Sequence, residues 1–355
     1  MNKKVVIVIS ALAALIILYV FMPDDTVQPA LVQIQKANKQ VVVEKASDET
    51  IEPETEVAAS AVDMSPFQLT STQKAAKVIA NNYRETLRYA PYSQPLTVND
   101  VDRLEPNRFI PLTVPTSDMS GTISLSLNKY RFIYPEPIKL VLKGDAVTRA
   151  KVIVSIVDEQ KILLEKSLAV SEAGAMIELA GKESFSGDLQ LKVVADVAGD
   201  PIVIVAQAKY EQPSAKLIGL KHTEVNGSDL IMTLSMDVED AGIYRVRANL
   251  YDGAQPLAHL VAKSKLSSGR QELQLKAHQS VLPDKSSDLR LMTFVVERMS
   301  SVPGERTRFG ESEVTEIPLI DVDLSELSRD PYSPTTNERA SLEFLEGMAS
   351  QKNLQ

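Results

Sequence analysis

The 355-residue chain contains no cysteine and no tryptophan, and aromatic residues make up only 5% of it. Without cysteine there is no disulfide, no thiolate metal ligand and no cysteine nucleophile. With so few rings and no indole, a sugar site built on stacking platforms is disfavoured. Histidine is scarce too: His222, His259 and His278 are the whole set. None has a second histidine or a carboxylate at helical metal-ligand spacing. Alternation along the segment around His278 points it outward, with Gln274 and Lys276. Positive charge is in deficit, with a formal net charge of -9. Nucleic acid and anionic lipid headgroups are therefore poor partners for the chain as a whole.

The usual reactive motifs are also missing. There is no G-x-S-x-G nucleophile turn, no phosphate loop and no G-x-G-x-x-G. Asp321-Val322-Asp323-Leu324-Ser325 opens like a calcium loop, but Glu326 stands where glycine is required and Tyr332 where glutamate is required, which excludes an EF-hand. Asp237, Glu239 and Asp240 read as an acidic solvated turn. No residue is assigned a catalytic, cofactor-binding or metal-binding role, and no cofactor is expected.

What is present begins with MNKKVVIVISALAALIILYVFMPDD. Val5 to Met22 is an uncharged run of 18 residues. As a helix it spans roughly 27 Å, close to the thickness of a bilayer's hydrocarbon core. A cleaved signal has a shorter apolar stretch and a small-x-small site after it. Here large residues surround the end of the run, which favours an uncleaved anchor over a signal with an unusual site. Lys3 and Lys4 before the run, with Asp24 and Asp25 after it, put the N-terminus in the cytoplasm and the body outside. Residues 1–22 are thus read as cytoplasmic start and transmembrane anchor. Residues 23–65, acidic and without aromatics in TIEPETEVAASAVDMSP, are read as a disordered tether.

Residues 66–120 are read as a helix followed by proline-rich extended chain. Ser71 or Thr72 can cap the helix. Ala76, Ile79, Tyr83 and Leu87 form one stripe, and Pro91 stops it. Five prolines follow within PYSQPLTVNDVDRLEPNRFIPLTVP. They impose irregular, extended backbone, expected to lie against a neighbouring domain and bury Phe109, Ile110, Leu112 and Val114.

From Gly121 the period becomes two. Ile123, Leu125 and Leu127 alternate with polar residues, as do Leu189, Leu191, Val193, Ala195 and Val197. Tyr244, Val246, Ala248 and Leu250 share one face, leaving Arg245 and Arg247 on the other. Such alternation marks antiparallel sheets with one wet face. The pattern also repeats. AKVIVSIVDEQ from Ala150 matches YRVRANLYDGA from Tyr244, AGAMIELAGK matches GRQELQLKAH, and SGDLQLKVVADV from Ser186 matches SSDLRLMTFVVE from Ser286. A period near 100 residues of short strands indicates tandem sandwiches, at 121–213 and 214–320. Asp240-Ala241-Gly242-Ile243-Tyr244 has the D-x-G-x-Y form of a tyrosine corner, but too much of the module follows it for a late strand. It reads either as a turn before an early strand or as chance.

The stretch GIYRVRANLYDGAQPLAHLVAKSKLSSGRQELQLKAH with SDLRLMTFVVE resembles immunoglobulin-like modules of bacterial exported proteins, in particular the C-terminal module of an uncharacterised family of membrane-anchored envelope proteins. The resemblance covers residues 214–320 and, more weakly, 121–213. It implies fold and compartment, and carries no catalytic residues over.

Residues 321–355 are read as a proline-rich leash and an amphipathic helix. Thr335 and Glu338 have capping-box spacing, and Leu342, Leu345 and Ala349 make its stripe. PYSQP at 91–95 echoes PYSP at 331–334, a form that aromatic-lined grooves recognise. Candidate partner-binding residues are therefore Pro91, Tyr92, Arg245, Arg247, Tyr332, Leu342 and Leu345. The expected protein is mainly β: two tandem immunoglobulin-like β-sandwiches behind a transmembrane helix, with short flanking helices. It would be a non-catalytic scaffold in the inner membrane, its bulk in the periplasm, meeting another envelope protein. A ligand- or wall-glycan-binding module needs a concave pocket between the sandwiches. A hydrolase needs a site that sequence motifs do not show.

Overall fold

The computed structural model describes residues 65–350, apart from 118–120, 145–146, 160, 172–173 and 287. The apolar run Val5–Met22 and the tether up to Met64 lie outside them. Among the described residues no helix is long and apolar enough to cross a membrane.

The chain is mainly β. Helix α1 (Ser65–Thr86) and strand β1 (Ser93–Pro95) lead to the short helix α2 (Val101–Leu104). Strands β2 (Leu112–Pro115), β3 (Thr122–Leu127), β4 (Arg131–Ile133), β5 (Ile138–Gly144), β6 (Val147–Ile156), β7 (Ile162–Ala169), β8 (Ala175–Leu179), β9 (Gly187–Val197) and β10 (Asp200–Glu211) build the first sandwich. Strands β11 (Ala215–Asn226), β12 (Asp229–Val238), β13 (Gly242–Asp252), β14 (Gln255–Leu266), β15 (Gly269–His278), β16 (Leu289–Arg298), β17 (Arg308–Phe309), β18 (Glu311–Ser312) and β19 (Glu316–Pro318) build the second. Helix α3 (Thr336–Ser350) follows.

In the first sandwich one sheet has the order β2-β3-β5-β8 and the other β4-β10-β9-β6-β7. In the second, β18-β11-β12-β15 faces β1-β14-β13-β16-β17, with β19 also on β16. The repeat is therefore a repeat of topology. β6 lies between β7 and β9 as β13 lies between β14 and β16, and β8 flanks β5 as β15 flanks β12. This split of strands over two sheets is the immunoglobulin-like one.

Each sandwich closes its own core. Ile123, Leu125, Leu140, Val152, Leu191 and Tyr210 belong to the first, and Met232, Leu234, Tyr244, Val246, Leu250 and Leu291 to the second. The alternating residues expected to face inward are buried in both modules. Tyr244 does more than fill space. Its hydroxyl donates to the carbonyl of Asp240, four residues upstream, and to that of Ser214, each at 2.7 Å. The D-x-G-x-Y stretch is thus a turn before an early strand that forms a corner-type hydrogen bond.

The sandwiches meet through Ile133, Val295 and Phe309, which form a small apolar cluster. The Arg131 guanidinium lies 4.4 Å from the Phe309 ring centre, a cation–π distance. The Phe309 N–H donates to the Glu211 carboxylate at 3.0 Å. Burial, the largest influence on Glu211, pushes its carboxyl up. Arg306 reaches across to Asp158 at 2.9 Å and Asp188 at 3.0 Å. Next to Phe309 the chain passes from β17 on one sheet to β18 on the other at Gly310, where a Cβ would stand 2.5 Å from the Ala215 carbonyl oxygen and 2.7 Å from Val296.

Residues 93–115 strap the modules together. β1 pairs with β14 of the second module and β2 with β3 of the first. The proline-rich segment is ordered, as its composition implied, but Ile110 stays exposed while Phe109, Leu112 and Val114 pack partly on the first core. Helix α1 starts at Ser65, ahead of the expected caps. Ala76 and Ala80 are buried on it, Leu87 is buried just past its end, and Ile79 is exposed. Small alanines allow α3 to approach closely. The capping box of α3 forms as expected: the Thr335 N–H donates to Glu338 at 2.7 Å, and the Glu338 N–H to the Thr335 hydroxyl at 3.3 Å.

Candidate interaction site

Among the described residues, four places concentrate polar or exposed apolar side chains. Arg245 and Arg247 leave β13 on the face opposite Tyr244 and Val246, as alternation requires. Their expected exposure is corrected by the structure. Arg245 is buried, and both guanidiniums bond the carboxylate of Glu297, which is buried on β16. The strap reaches the same face at Asn249, whose amide donates to the Arg103 carbonyl at 2.7 Å. Since Asn249 Nδ2 is turned to that carbonyl, its Oδ1 accepts from His259 Nδ1 at 2.8 Å. Burial first, then Arg103, Arg247 and Arg245, push His259 down to about 4, with Asp100 opposing them. Asp100 is itself held down by the Thr97 hydroxyl and N–H.

The two PYS stretches converge at one end of the second module. The Tyr92 hydroxyl donates to Asp229 at 2.7 Å, and burial followed by Asp229 pushes its phenol up. The Tyr332 hydroxyl donates to Glu338 at 2.8 Å, and burial pushes it up to about 12. Its ring meets His278 edge-on, 6.1 Å between centres. His278 was expected to point outward into water; it is buried beneath this contact. Its Nδ1 accepts from the Ser280 N–H at 3.1 Å, so it caps the short turn Gln279–Val281. Pro91 is exposed beside Tyr92. On α3, Leu345 is buried and Leu342 half-buried, and Glu346 pairs with Arg84 of α1 at 2.5 Å. Pro91, Tyr92, Tyr332, Leu342 and Leu345 thus share one junction of terminal elements, apart from Arg245 and Arg247.

The third place is a cleft of about 540 Å³ at the module junction. Arg108, Lys129 and Glu136 line it from one side, Phe294 and Glu311 from the other. Thr293, also on its wall, has φ of 57°. A β-branched residue in the left-handed region is strained, a condition that gathers at functional sites. The fourth is the outer face of the β10-β9-β6 sheet. There Val203 and Val205 are 47% and 42% exposed.

Glu297, Asn249 and His259 were not singled out from sequence. The signal available was the Arg-x-Arg-x-Asn alternation on β13, which is a costly pattern for a face that turns out to be covered. Among the described residues no group of three or more histidines, aspartates or glutamates is placed to hold a metal ion.

No protein-family model and no curated protein matches the chain. Parts of the chain are similar to some solved structures. A DUF4785-family protein from Legionella pneumophila is 14% identical over 50% of this chain, with a TM-score of 0.37. The chain spans 52% of that protein's length. A two-domain fibronectin type III segment of chicken tenascin is 12% identical, covers 52% of this chain and 95% of its own, and has a TM-score of 0.23. The FN1–FN3 domains of chicken CNTN1 are 13% identical over 59% of this chain and 66% of theirs, with a TM-score of 0.24.

Proposed function

We propose that the chain is a non-catalytic scaffold of a bacterial envelope assembly, anchored in the inner membrane by residues 1–22 and meeting another envelope protein with its extracytoplasmic body. The observation that carries this reading is the junction between the sandwiches. Phe309, Ile133 and Val295 bury one another, and the strap pairs with a strand of each module. A scaffold has to hold surfaces at fixed spacing, and a doubly tied junction does so. The charge asymmetry around Val5–Met22 supports the orientation. Short-arm crosslinking of the full chain in its native membrane is expected to give one discrete adduct of constant stoichiometry, formed outside the cytoplasm. A chain that stays monomeric under those conditions, or fractionates with the cytosol, overturns the reading.

The cleft of about 540 Å³ favours a second reading, a module that binds a small ligand or wall glycan, since its size falls within the range of small-molecule sites. Saturable heat on titration with cell-wall fragments is its expected sign, and a flat titration removes it.

A further inference from the structure

Two of the three histidines meet one segment, the run 92–105 that carries β1 and α2. At its start the His278 N–H donates to the Ser93 hydroxyl at 3.0 Å. Further along, Gln94 of β1 lies beside His259 of β14, and His259 beside Asn249 of β13. Asn249 is fully buried. Its amide ties this row to α2 through the Arg103 carbonyl, and its Oδ1 takes the hydrogen of His259 Nδ1. Nε2 is then the basic atom of the ring. A proton gained there puts a cation among Arg103 of the segment and Arg247 and Arg245 of β13. Asp100 opposes that repulsion, and Glu297 is already shared between Arg245 and Arg247. The segment itself is lightly held. Leu96 is buried, and its N–H donates to the Leu257 carbonyl at 3.0 Å. But β1 is three residues long, and α2 buries none of its four. Short elements with few buried side chains open before a core does.

We infer that residues 92–105 form an acid-released latch: protonation of His259 at Nε2 frees the segment from β13 and β14 while both cores stay closed. Release undoes the pairing of β1 with β14, and with it one of the strap's two ties between the modules. The inference concerns the folded body alone and stands apart from the scaffold reading. Its sign follows from the two states. In the closed latch His259 sits at about 4, and in water it returns to the ordinary 6.5. The open form therefore binds the proton more tightly, and acid favours opening. Between pH 7 and pH 5 the opening constant rises about twentyfold. Asp100, held down by Thr97, stays charged over that range, as do the three arginines. His278 is pushed down by burial, with Asp229 opposing, and is the rival source of acid sensitivity.

Hydrogen exchange of the full-length protein in detergent tests this, read at pH 7 and pH 5 and corrected for the intrinsic pH dependence of the amides. Peptides covering 92–105 report the latch, and those covering 189–197 and 230–236 report the two cores. Protection across 92–105 should be lower than across 230–236 at both pH values, and should fall about twentyfold in acid. Protection across 189–197 should not change. His259→Gln keeps an amide for Asn249 and cannot titrate, so the fall should vanish. Arg103→Gln keeps the backbone carbonyl and changes an exposed side chain, so the variant folds. With one repelling cation gone, its fall should shrink. His278→Gln should leave the fall in place. No fall in the unmodified chain, a fall of the same size in His259→Gln or Arg103→Gln, or its loss in His278→Gln overturns the inference. So does equal protection across 92–105 and 230–236, because the segment would then leave only by unfolding of the whole module.

Discussion

In the first sandwich Lys151 meets Glu165 at 2.6 Å with the two side chains 44% and 43% exposed. Its repeat counterpart Arg245 meets Glu297 with side chains 6% and 0% exposed. The strands, their order and the direction of the side chains are the same, and the energetics are opposite in kind. An exposed pair gains little, because water screens it and two long side chains lose freedom. A buried pair loses hydration worth several kcal/mol per ion, and recovers it only when every partner is in place. Glu297 recovers it by giving one oxygen to each arginine. The comparison teaches that a module's face is defined by what lies across it as much as by its own strands.

The sharpest way to break the contrast is to remove one carboxylate from each module. Glu297→Ala leaves Arg245 and Arg247 buried without their shared anion, and should cost about 3–5 kcal/mol. Glu165→Ala should cost under about 0.5 kcal/mol. Urea unfolding of the full chain, followed by hydrogen exchange in each module, reads both. Equal effects from the two changes would mean that the strap does not seal the second face.

Titration tests the same asymmetry with a smaller effect. All three histidines lie in the second module. Folding holds His259 at about 4 against an ordinary 6.5. Between those values the unfolded chain binds the proton and the folded chain does not. The contribution is therefore complete above pH 6.5 and is lost as pH falls toward 4, by up to roughly 3 kcal/mol. The second module's unfolding midpoint should drop between pH 7 and pH 4.5 by more than the first module's. His259→Gln should remove that excess. An excess unchanged in the variant would assign the acid sensitivity to other groups.

Much of this was legible in the residues. Leu189, Leu191, Val193 and Ala195 face inward because period two allows nothing else for a half-buried strand, and the repeat carried the strand order with it. Thr335 and Glu338 formed their cap because that chemistry is local. Ile79 misled because periodicity weights large apolar residues, whereas α1 packs through Ala76 and Ala80. Arg245 misled for a different reason. Alternation tells which side of a sheet a residue leaves, and is silent about the buried Glu297 carboxylate that meets it there from a strand 52 residues later. His278 was hidden by Tyr332 in the same way. What depends on non-local cover is the part that spacing cannot encode.

The smallest expected effect asks how the two modules are held. Arg306 bridges to Asp158 and Asp188 of the first module from an exposed position, while Phe309 sits buried between Ile133 and Val295. Exposed ion pairs of this type contribute about 0.2–1 kcal/mol each and weaken in salt. Arg306→Ala should therefore shift the unfolding midpoint by less than about 1 kcal/mol and leave small-angle scattering of the full chain unchanged. If scattering instead shows the modules swinging apart in Arg306→Ala, or in the unmodified chain at high salt, the junction is electrostatic. The two sandwiches would then be separate bodies on a hinge, with the apolar contact at Phe309 a consequence of their alignment instead of its cause.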